Sequence, residues 1–311
     1  MRRPRGAVLS QTRYASDRGL TTRMTVTMFL LGLLYIAFVA VLIALGVRAI
    51  VVLVLAGGLL LVQYLLSDRI ALFAMHGRVV SPQQAPELHG VVDRLAALAD
   101  MPKPRVAIAD SDVPNAFATG RNQKNAVVCV TTGLLRRLEP AELEGVLAHE
   151  MSHIAHRDVV VMTVASFLGI VAGLMTRFAL YTGLGRDRGG RGGLPVGLII
   201  LVVSALVYVV SFLLTRALSR YRELAADRAG ALLTQRPSAL ASALTKVSGE
   251  MARIPTRDLR EAEPFNAFYF APALAGRGGW AGLSALFSTH PPLEQRLAQL
   301  QRISAELGRA G

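Results

Sequence analysis

Cysteine is almost absent from this chain, since Cys129 is the single cysteine among 311 residues. One cysteine excludes an intramolecular disulfide framework and any metal site built from several cysteines. Acidic residues are also scarce, because 34 Lys and Arg stand against 21 Asp and Glu and leave a formal net charge of +13. The single thiol fits a reducing compartment, and the charge indicates an anionic partner.

A nucleic-acid-binding fold signature and an internal repeat are likewise missing from the sequence. A basic chain that lacks such a signature favours contact with anionic lipid headgroups beside membrane spans. We therefore expect anionic lipids, and not nucleic acid, among the partners.

Long apolar runs are what the sequence has in excess, with 52% hydrophobic residues and a mean hydropathy of +0.43. A transmembrane helix needs about 20 apolar residues. Four runs come close to that length or exceed it, at residues 25–46, 49–66, 159–184 and 194–214. They predict two transmembrane hairpins, the second one joined by a loop at 185–193 that is rich in Gly and Arg. Arg177 interrupts the third run, which leaves a buried hairpin of a soluble core as the alternative for the second pair.

The tail before the first run predicts the orientation. Its arginines stand against Asp17 alone, and they are Arg2, Arg3, Arg5, Arg13, Arg18 and Arg23. The positive-inside rule places this tail in the cytoplasm. Each hairpin returns the chain to the same side, so residues 67–158 and 216–311 would be cytoplasmic. The arginines of the 185–193 loop oppose this locally, and the larger excess before the first span outweighs them.

The remaining segments have the pattern of soluble structure. Apolar spacing and turn residues predict helices over 84–99, 140–156, 237–254 and 291–307. Short extended pieces are predicted at 105–109, 115–120 and 126–131. Together these segments predict a small sheet surrounded by helices.

Two histidines flank a glutamate in the helix predicted over 140–156, in the order His149-Glu150-Met151-Ser152-His153. Residues four apart lie on one helical face, so both imidazoles can reach one ion, and zinc favours such nitrogen ligands. Glu150 can act on a water at the ion without being a ligand, which is the metalloprotease pattern. The alternative is a surface helix with hydrogen-bonded histidines.

A catalytic zinc usually has three protein ligands, so a third must come from elsewhere in the chain. Glu223 is the candidate, because it lies nine residues after the fourth apolar run while His153 lies six residues before the third. An antiparallel hairpin would bring both segments out side by side at one membrane face. A salt bridge with Arg220 or Arg222 is the alternative role for Glu223. His156 is a competing ligand, although it drifts off the helical face of the first ligand.

Four further residues are candidates for supporting roles. Asp227, one turn beyond Glu223, and Asp158 are each placed to accept a hydrogen bond from a ligand histidine, with plain salt bridges as the alternative. Arg220, in the same segment as Asp227, is a candidate neighbour of the site. His290 is a candidate donor to the oxyanion, with helix capping as its alternative role.

Several short sequence motifs within residues 24–300 resemble those of a known family. They are Asn-Ala-Phe-Ala-Thr-Gly at 115–120, Thr-Thr-Gly-Leu-Leu at 131–135, the stretches 149–158 and 220–227, and Thr-His-Pro-Pro at 289–292. In this order they resemble the membrane-bound zinc metallopeptidases of the HtpX type, which are related to the CAAX prenyl endopeptidases.

The resemblance implies four membrane helices, a cytoplasmic active site with one Zn²⁺ per chain, and endoproteolysis of membrane proteins during envelope stress. It also implies Glu223 as the third ligand and Glu150 as the catalytic acid and base. The stretch that holds Asn115, Ala116 and Phe117 matches the edge strand on which family members lay their substrate. A plain structural strand is the alternative for that stretch.

The predicted fold class is a mainly α membrane protein with four transmembrane helices and a cytoplasmic α+β zincin-like metallopeptidase domain that carries a small sheet. The predicted division is a basic cytoplasmic tail at 1–24, hairpins at 25–66 and 159–215, and peptidase parts at 67–158 and 216–311.

The predicted function is a multi-pass zinc endopeptidase of the cytoplasmic (inner) membrane that hydrolyses misfolded or damaged membrane proteins or unfolded polypeptides. Zinc would activate a water, with Glu150 as general base and then acid. Processing of prenylated proteins, with the same chemistry, is one alternative, and a membrane scaffold stapled by structural zinc is another. A small channel is disfavoured, because the apolar runs hold almost no ionisable residues besides Arg177.

Overall fold

The computed structural model describes residues 18–45, part of 54–62, 64–181, 196–251 and 290–310. Most of the predicted basic tail, much of the second apolar run, the 185–193 loop and Thr289 lie outside the described residues. All predicted site residues from Asn115 to His290 lie within them.

Helices dominate the described residues, and a four-stranded sheet interrupts them. The helices are α1 (Arg18–Ala44), α2 (Ser67–Ala74), α3 (Pro86–Ala99), α4 (Thr132–Arg137), α5 (Pro140–Ala155), α6 (Asp158–Tyr181), α7 (Val196–Thr234), α8 (Pro237–Met251) and α9 (Leu293–Ala310). The strands are β1 (Gly77–Val79), β2 (Arg105–Ala109), β3 (Ala116–Thr119) and β4 (Val127–Thr131), with a short 3₁₀ turn at Gln123–Asn125.

Three of the described helices, α1, α6 and α7, are long and apolar enough to cross a bilayer. They pack together through apolar side chains such as Phe38 of α1, Leu168 of α6 and Val207 of α7. Their outward faces expose large apolar groups, including Phe29 and Ile36, which are 67% and 69% exposed. Apolar surface of this extent is typical of contact with lipid.

Helix α7 is much longer than a bilayer crossing requires. Its 39 residues extend about 58 Å, whereas a hydrocarbon core is about 30 Å thick. The apolar run predicted to end at residue 214 therefore continues without a break into the segment that holds Glu223. The first apolar run likewise lies within a longer helix, because α1 already begins at Arg18.

The sheet has the order β1-β2-β4-β3 and mixes parallel and antiparallel pairs. Strands β2 and β4 run parallel, while β1 and β3 pair antiparallel at the two sides. Every residue of β4 is buried, as expected for a strand covered on both faces. Val128 and Val130 join the core formed with α3, α5 and α8, and Val127 and Cys129 join a smaller core under α2. Among the described strands β3 thus lies at an edge of the sheet, where the family resemblance places it.

Candidate metal centre

The helix that carries the histidine pair begins with a strong start signal. Glu139 and Glu142 form a capping box, and Pro140 occupies the first turn. The helix ends where Arg157 adopts a left-handed conformation with φ 56°. Because of that reversal, α6 follows the histidine helix with only two residues, His156 and Arg157, between them.

The histidine pair and Glu150 face the interior of the protein. His149 and Glu150 are only 1% and 5% exposed, and the side chain of His153 is 16% exposed. The Nε2 atoms of the two imidazoles lie 3.3 Å apart. Both nitrogens therefore point at the same small space, which excludes the alternative of a surface helix with separate histidines.

Helix α7 adds a carboxylate to this pair. Oxygens of Glu223 lie 3.7 Å from Nε2 of His149 and 3.5 Å from Nε2 of His153. Ligands at about 2.0–2.1 Å around a tetrahedral zinc are spaced by roughly 3.3 Å. The two imidazole nitrogens and the Glu223 carboxylate thus lie near the spacing of zinc ligands, and the three residues form a group that could hold a metal ion.

A close contact between helices brings Glu223 to this point. A Cβ atom on Gly230 of α7 would lie 2.9 Å from the backbone nitrogen of His149 and 3.1 Å from its Cα. Such distances are shorter than van der Waals contact, so only glycine lets α7 approach α5 this closely. The packing of Gly230 therefore sets the distance between the histidine pair and the third ligand.

Replacing Gly230 by alanine is expected to weaken metal binding without touching any donor atom. The added methyl group must push α7 away from α5, and overpacking of this kind costs about 1–3 kcal/mol. We expect a lower thermal midpoint and at least about a tenfold loss of zinc affinity, measured by thermal unfolding and zinc titration of the purified protein. Gly90→Ala on α3 is the matched control, because a Cβ there meets nothing within 4 Å. Equal zinc affinity in both variants would contradict the packing argument.

Each ligand histidine is held from behind by an aspartate. Nδ1 of His149 lies 2.9 Å from Oδ1 of Asp227, and Nδ1 of His153 lies 2.6 Å from Oδ2 of Asp158. An Nδ1–H that donates to a carboxylate leaves the Nε2 lone pair free to bind an ion. Both aspartates thus lie where the sequence places them, on the outer nitrogens of the ligands.

An arginine contacts each of these aspartates, and sequence reasoning predicted neither contact. Arg296 of α9 donates from Nε and Nη2 to Asp227 at 2.7 and 2.6 Å, and Arg222 of α7 pairs with Asp158. The arginine beside Asp158 is therefore Arg222, and Arg220 stays a predicted neighbour of the site. One signal could have revealed Arg296, because its spacing places it on the same face of α9 as buried Leu300 and Ile303.

Two other histidines near the pair take different positions. His290 is 5% exposed, lines the cavity at the site, and donates from Nδ1 to Oε2 of Glu223 at 3.0 Å. His156, the competing ligand from the sequence, instead donates from Nδ1 to the carbonyl of Ser152 at 2.8 Å. His156 is not part of the metal group. The oxyanion role of His290 stays a prediction.

Burial and neighbouring charges move the pKa values of the site in opposite directions. Burial alone lowers the pKa of His149, but its hydrogen bonds with Asp227 and Glu223 outweigh burial and raise the pKa to about 9. Burial lowers the pKa of His153. Burial raises the pKa of the Glu150 carboxyl group above its ordinary value. A raised carboxyl pKa suits a group that must both take up and release a proton.

Strand β3 borders a cavity of about 490 Å³ that contains the metal group. Thr131 donates its N–H to the carbonyl of Asn115 at 2.9 Å, and hydrogen-bonded pairs alternate along an antiparallel ladder. The peptide groups of Ala116 and Ala118 therefore point away from β4, toward the open edge. The N–H of Ala118 donates to the carboxylate of Glu150. The edge strand and the predicted catalytic carboxylate are thus in direct contact.

Comparison with known proteins places these features in one family. The model of peptidase family M48 matches residues 82–304. "Protease HtpX homolog 1" of Streptomyces coelicolor is 66% identical over 96% of this chain and 98% of its own length. "Protease HtpX homolog" of Moorella thermoacetica is 54% identical over 94% and 97%. The crystal structure of S. mikatae Ste24p superposes with a TM-score of 0.52 at 18% identity, covering 91% of this chain and 67% of that one. The last likeness shows a shared fold.

Proposed function

Since the chain belongs to peptidase family M48, as a membrane metalloprotease of the HtpX type, we propose that it is a zinc endopeptidase that cleaves misfolded or damaged membrane proteins. The observation that carries this proposal is a geometric one. The side chains of His149 and His153 on α5 and of Glu223 on α7 come together in one cavity, and Glu150 and strand β3 line the same cavity. Among the residues that the structure describes, the metal group has three members, whereas a structural zinc staple would be closed by a fourth protein ligand.

His149, His153 and Glu223 are the residues that would hold the ion. A bound zinc ion supplies Lewis-acid polarisation of a peptide carbonyl and lowers the pKa of water. Asp227 and Asp158 orient the two imidazoles, and Arg296 and Arg222 hold the aspartates in turn. The whole group is therefore positioned by hydrogen bonds before a substrate arrives.

Glu150 moves the proton in this proposal. Its carboxylate takes a proton from the attacking water and passes it to the leaving amine. The N–H of Ala118 donates to that carboxylate and holds it at the edge strand, where an extended substrate pairs with the outward peptide group of Ala116. His290 lines the same cavity and is the proposed donor to the developing oxyanion.

We also propose four spans with the peptidase parts on the cytoplasmic side. The support is the arginine-rich tail before the first apolar run and the even number of apolar runs in the sequence. The cavity at the metal group is lined by the first turns of α6, including Val159 and Met162. The site is therefore adjacent to the membrane surface, where loops and tails of damaged membrane proteins come within reach.

Metal removal and restoration test this proposal. The detergent-purified protein is expected to contain about one zinc per chain and to cleave an unfolded membrane protein in liposomes faster than its folded form. Exhaustive chelation should stop cleavage, and added zinc should restore it. The measurement is metal analysis by mass spectrometry together with gel-based cleavage rates. Full activity after complete metal removal would contradict the proposal.

A further inference from the structure

The cavity at the metal group continues along the membrane helices. A second cavity of about 330 Å³ lies between α6 and α7, and it shares Ser166, Phe212 and Thr215 with the cavity that contains the metal group. We call this second cavity the α6–α7 groove, lined by side chains of α6 from Ser166 to Arg177 and of α7 from Tyr208 to Thr215. The shared residues make the two cavities one continuous path.

The length of this path decides what fits it. Lining residues run along α6 from Asp158 to Arg177, a rise of about 28 Å. A hydrocarbon core is about 30 Å thick, and one lipid tail covers half of it. The α6–α7 groove, from Ser166 to Arg177, accounts for about 16 Å of this rise, and the other roughly 12 Å lead from the groove to the metal group. The whole path is therefore longer than a single acyl chain, and it matches part of a helix followed by an extended segment.

The shape of the groove limits how much of a helix it can hold. The groove is open along one side, because its rim residues Leu174 and Tyr208 are 47% and 44% exposed. The groove thus takes the side chains from one face of a helix, with the rest of that helix against the rim.

The hydroxyl groups along the groove are turned toward backbone carbonyls. Ser166 donates to the carbonyl of Thr163 at 3.1 Å, Ser211 to that of Tyr208 at 3.0 Å, and Thr215 across to Ala165 at 3.3 Å. Their donors are used within the protein, so the surface offered by the groove is mainly apolar. A row of serines and threonines that looks polar in sequence therefore suits an apolar occupant.

From these observations we infer that the α6–α7 groove binds one face of the substrate's own transmembrane helix and so delivers the adjoining peptide to the metal group. This inference rests on the proposed function and names its substrate class: polypeptides cut close to a membrane span. From Ser166 to Asp158, the residue bonded to His153, the rise is about 12 Å. An extended peptide covers that distance in about four residues. The cleaved bond is expected that far from the end of the span.

The test compares two probes with the full chain in phosphatidylcholine liposomes. One probe is a soluble unfolded peptide, and the other is the same peptide joined about four residues from a single apolar span. Ile170→Trp fills the groove, Leu174→Trp fills its rim, and Val164→Trp is the control, since Val164 is on the same helix but 60% exposed and outside both cavities. Cleavage of the soluble probe also reports whether each variant is folded.

The expected result is a change in preference. Either groove variant should lower the ratio of kcat/KM for the span-linked probe to that for the soluble probe by about 10- to 100-fold, the usual value of excluding one large apolar group from a site. Val164→Trp should leave the ratio unchanged.

Three results would overturn the inference. An unchanged ratio in both groove variants means that the groove does not select spans. Displacement of co-purifying phospholipid by Ile170→Trp at an unchanged ratio identifies a lipid as the occupant. Failure of the wild-type protein to cleave even the soluble probe removes the proposed function, and this inference with it.

Discussion

Glu150→Gln is expected to lower the cleavage rate by about 10³-fold or more while the protein keeps its metal. Glutamine has the same shape, and its carbonyl can still accept the N–H of Ala118, so the fold of α5 should not change. The amide cannot take a proton from water, however, and general-base catalysis alone accounts for about 10²- to 10⁴-fold. The measurement is kcat/KM on an unfolded membrane protein, with zinc content determined on the same sample.

The control for this variant lies on the same helix. Glu144 is six residues before Glu150 and pairs with Arg94 at 3.0 Å, away from the metal group. Glu144→Gln removes a similar charge from α5 and should leave activity within about twofold, since surface ion pairs are worth only about 0–1 kcal/mol. Full activity in Glu150→Gln would remove the carboxylate from the mechanism. Loss of zinc in that variant would give Glu150 a ligand role instead.

Glu223→Gln is expected to abolish metal binding and, with it, proteolysis. The change removes a negative charge that lies 3.0 Å from Nδ1 of His290 and 3.8 Å from Nη1 of Arg296, as well as the third donor. A neutral amide is a poorer zinc ligand than a carboxylate, and two imidazoles alone do not complete a catalytic site. Zinc titration should show a loss well beyond the roughly 10- to 100-fold expected for an outer hydrogen-bond partner.

Asp227→Asn provides the matched comparison for Glu223→Gln. It makes the same carboxylate-to-amide change one turn further along α7, and Asp227 contacts His149 through the outer nitrogen rather than at the metal group. We expect Asp227→Asn to weaken zinc binding by about 10- to 100-fold while some activity survives at saturating zinc. If the two variants lose equal affinity, or if Glu223→Gln still binds zinc as tightly as the wild type, Glu223 is not the third ligand.

Two ligand histidines are supported in the same way from two different parts of the chain. His149 is bonded to Asp227 and through it to Arg296 of the last helix, while His153 is bonded to Asp158 and through it to Arg222. Asp158 is the first residue of the membrane helix α6. The orientation of one ligand therefore depends on the C-terminal helix, and that of the other on the membrane hairpin.

Elements with strong local signals could be predicted from the sequence. The strand at 105–109 is β2 with the same bounds, and the helix predicted from residue 140 is α5, because Pro140 and the acidic cap mark its start. The short elements β1, α2 and α4 are not predicted. They have three to eight residues each, too few for a period to appear, and β1 exists only through its pairing with β2.

The residues of the site also fall into those that local spacing predicts and those that depend on tertiary contacts. Helical spacing alone places His149 and His153 on one face, with Glu150 next to the first of them in sequence, so these three residues can be assigned without a structure. Arg296 cannot, because its partner Asp227 is 69 residues away and the contact depends on how α9 packs on α7. The pairing of Arg222 with Asp158 likewise depends on which face of α7 meets the start of α6.

The sequence by itself determined the apolar runs, the basic tail and the histidine pair with its glutamate, since each is a property of neighbouring residues and their period. Only the tertiary structure decided that α7 is one unbroken helix, that Gly230 lets it reach the backbone of His149, and that a groove leads from the metal group along α6. Those features depend on distances between residues far apart in the chain. Such distances are set by close packing of whole helices, which local composition does not encode.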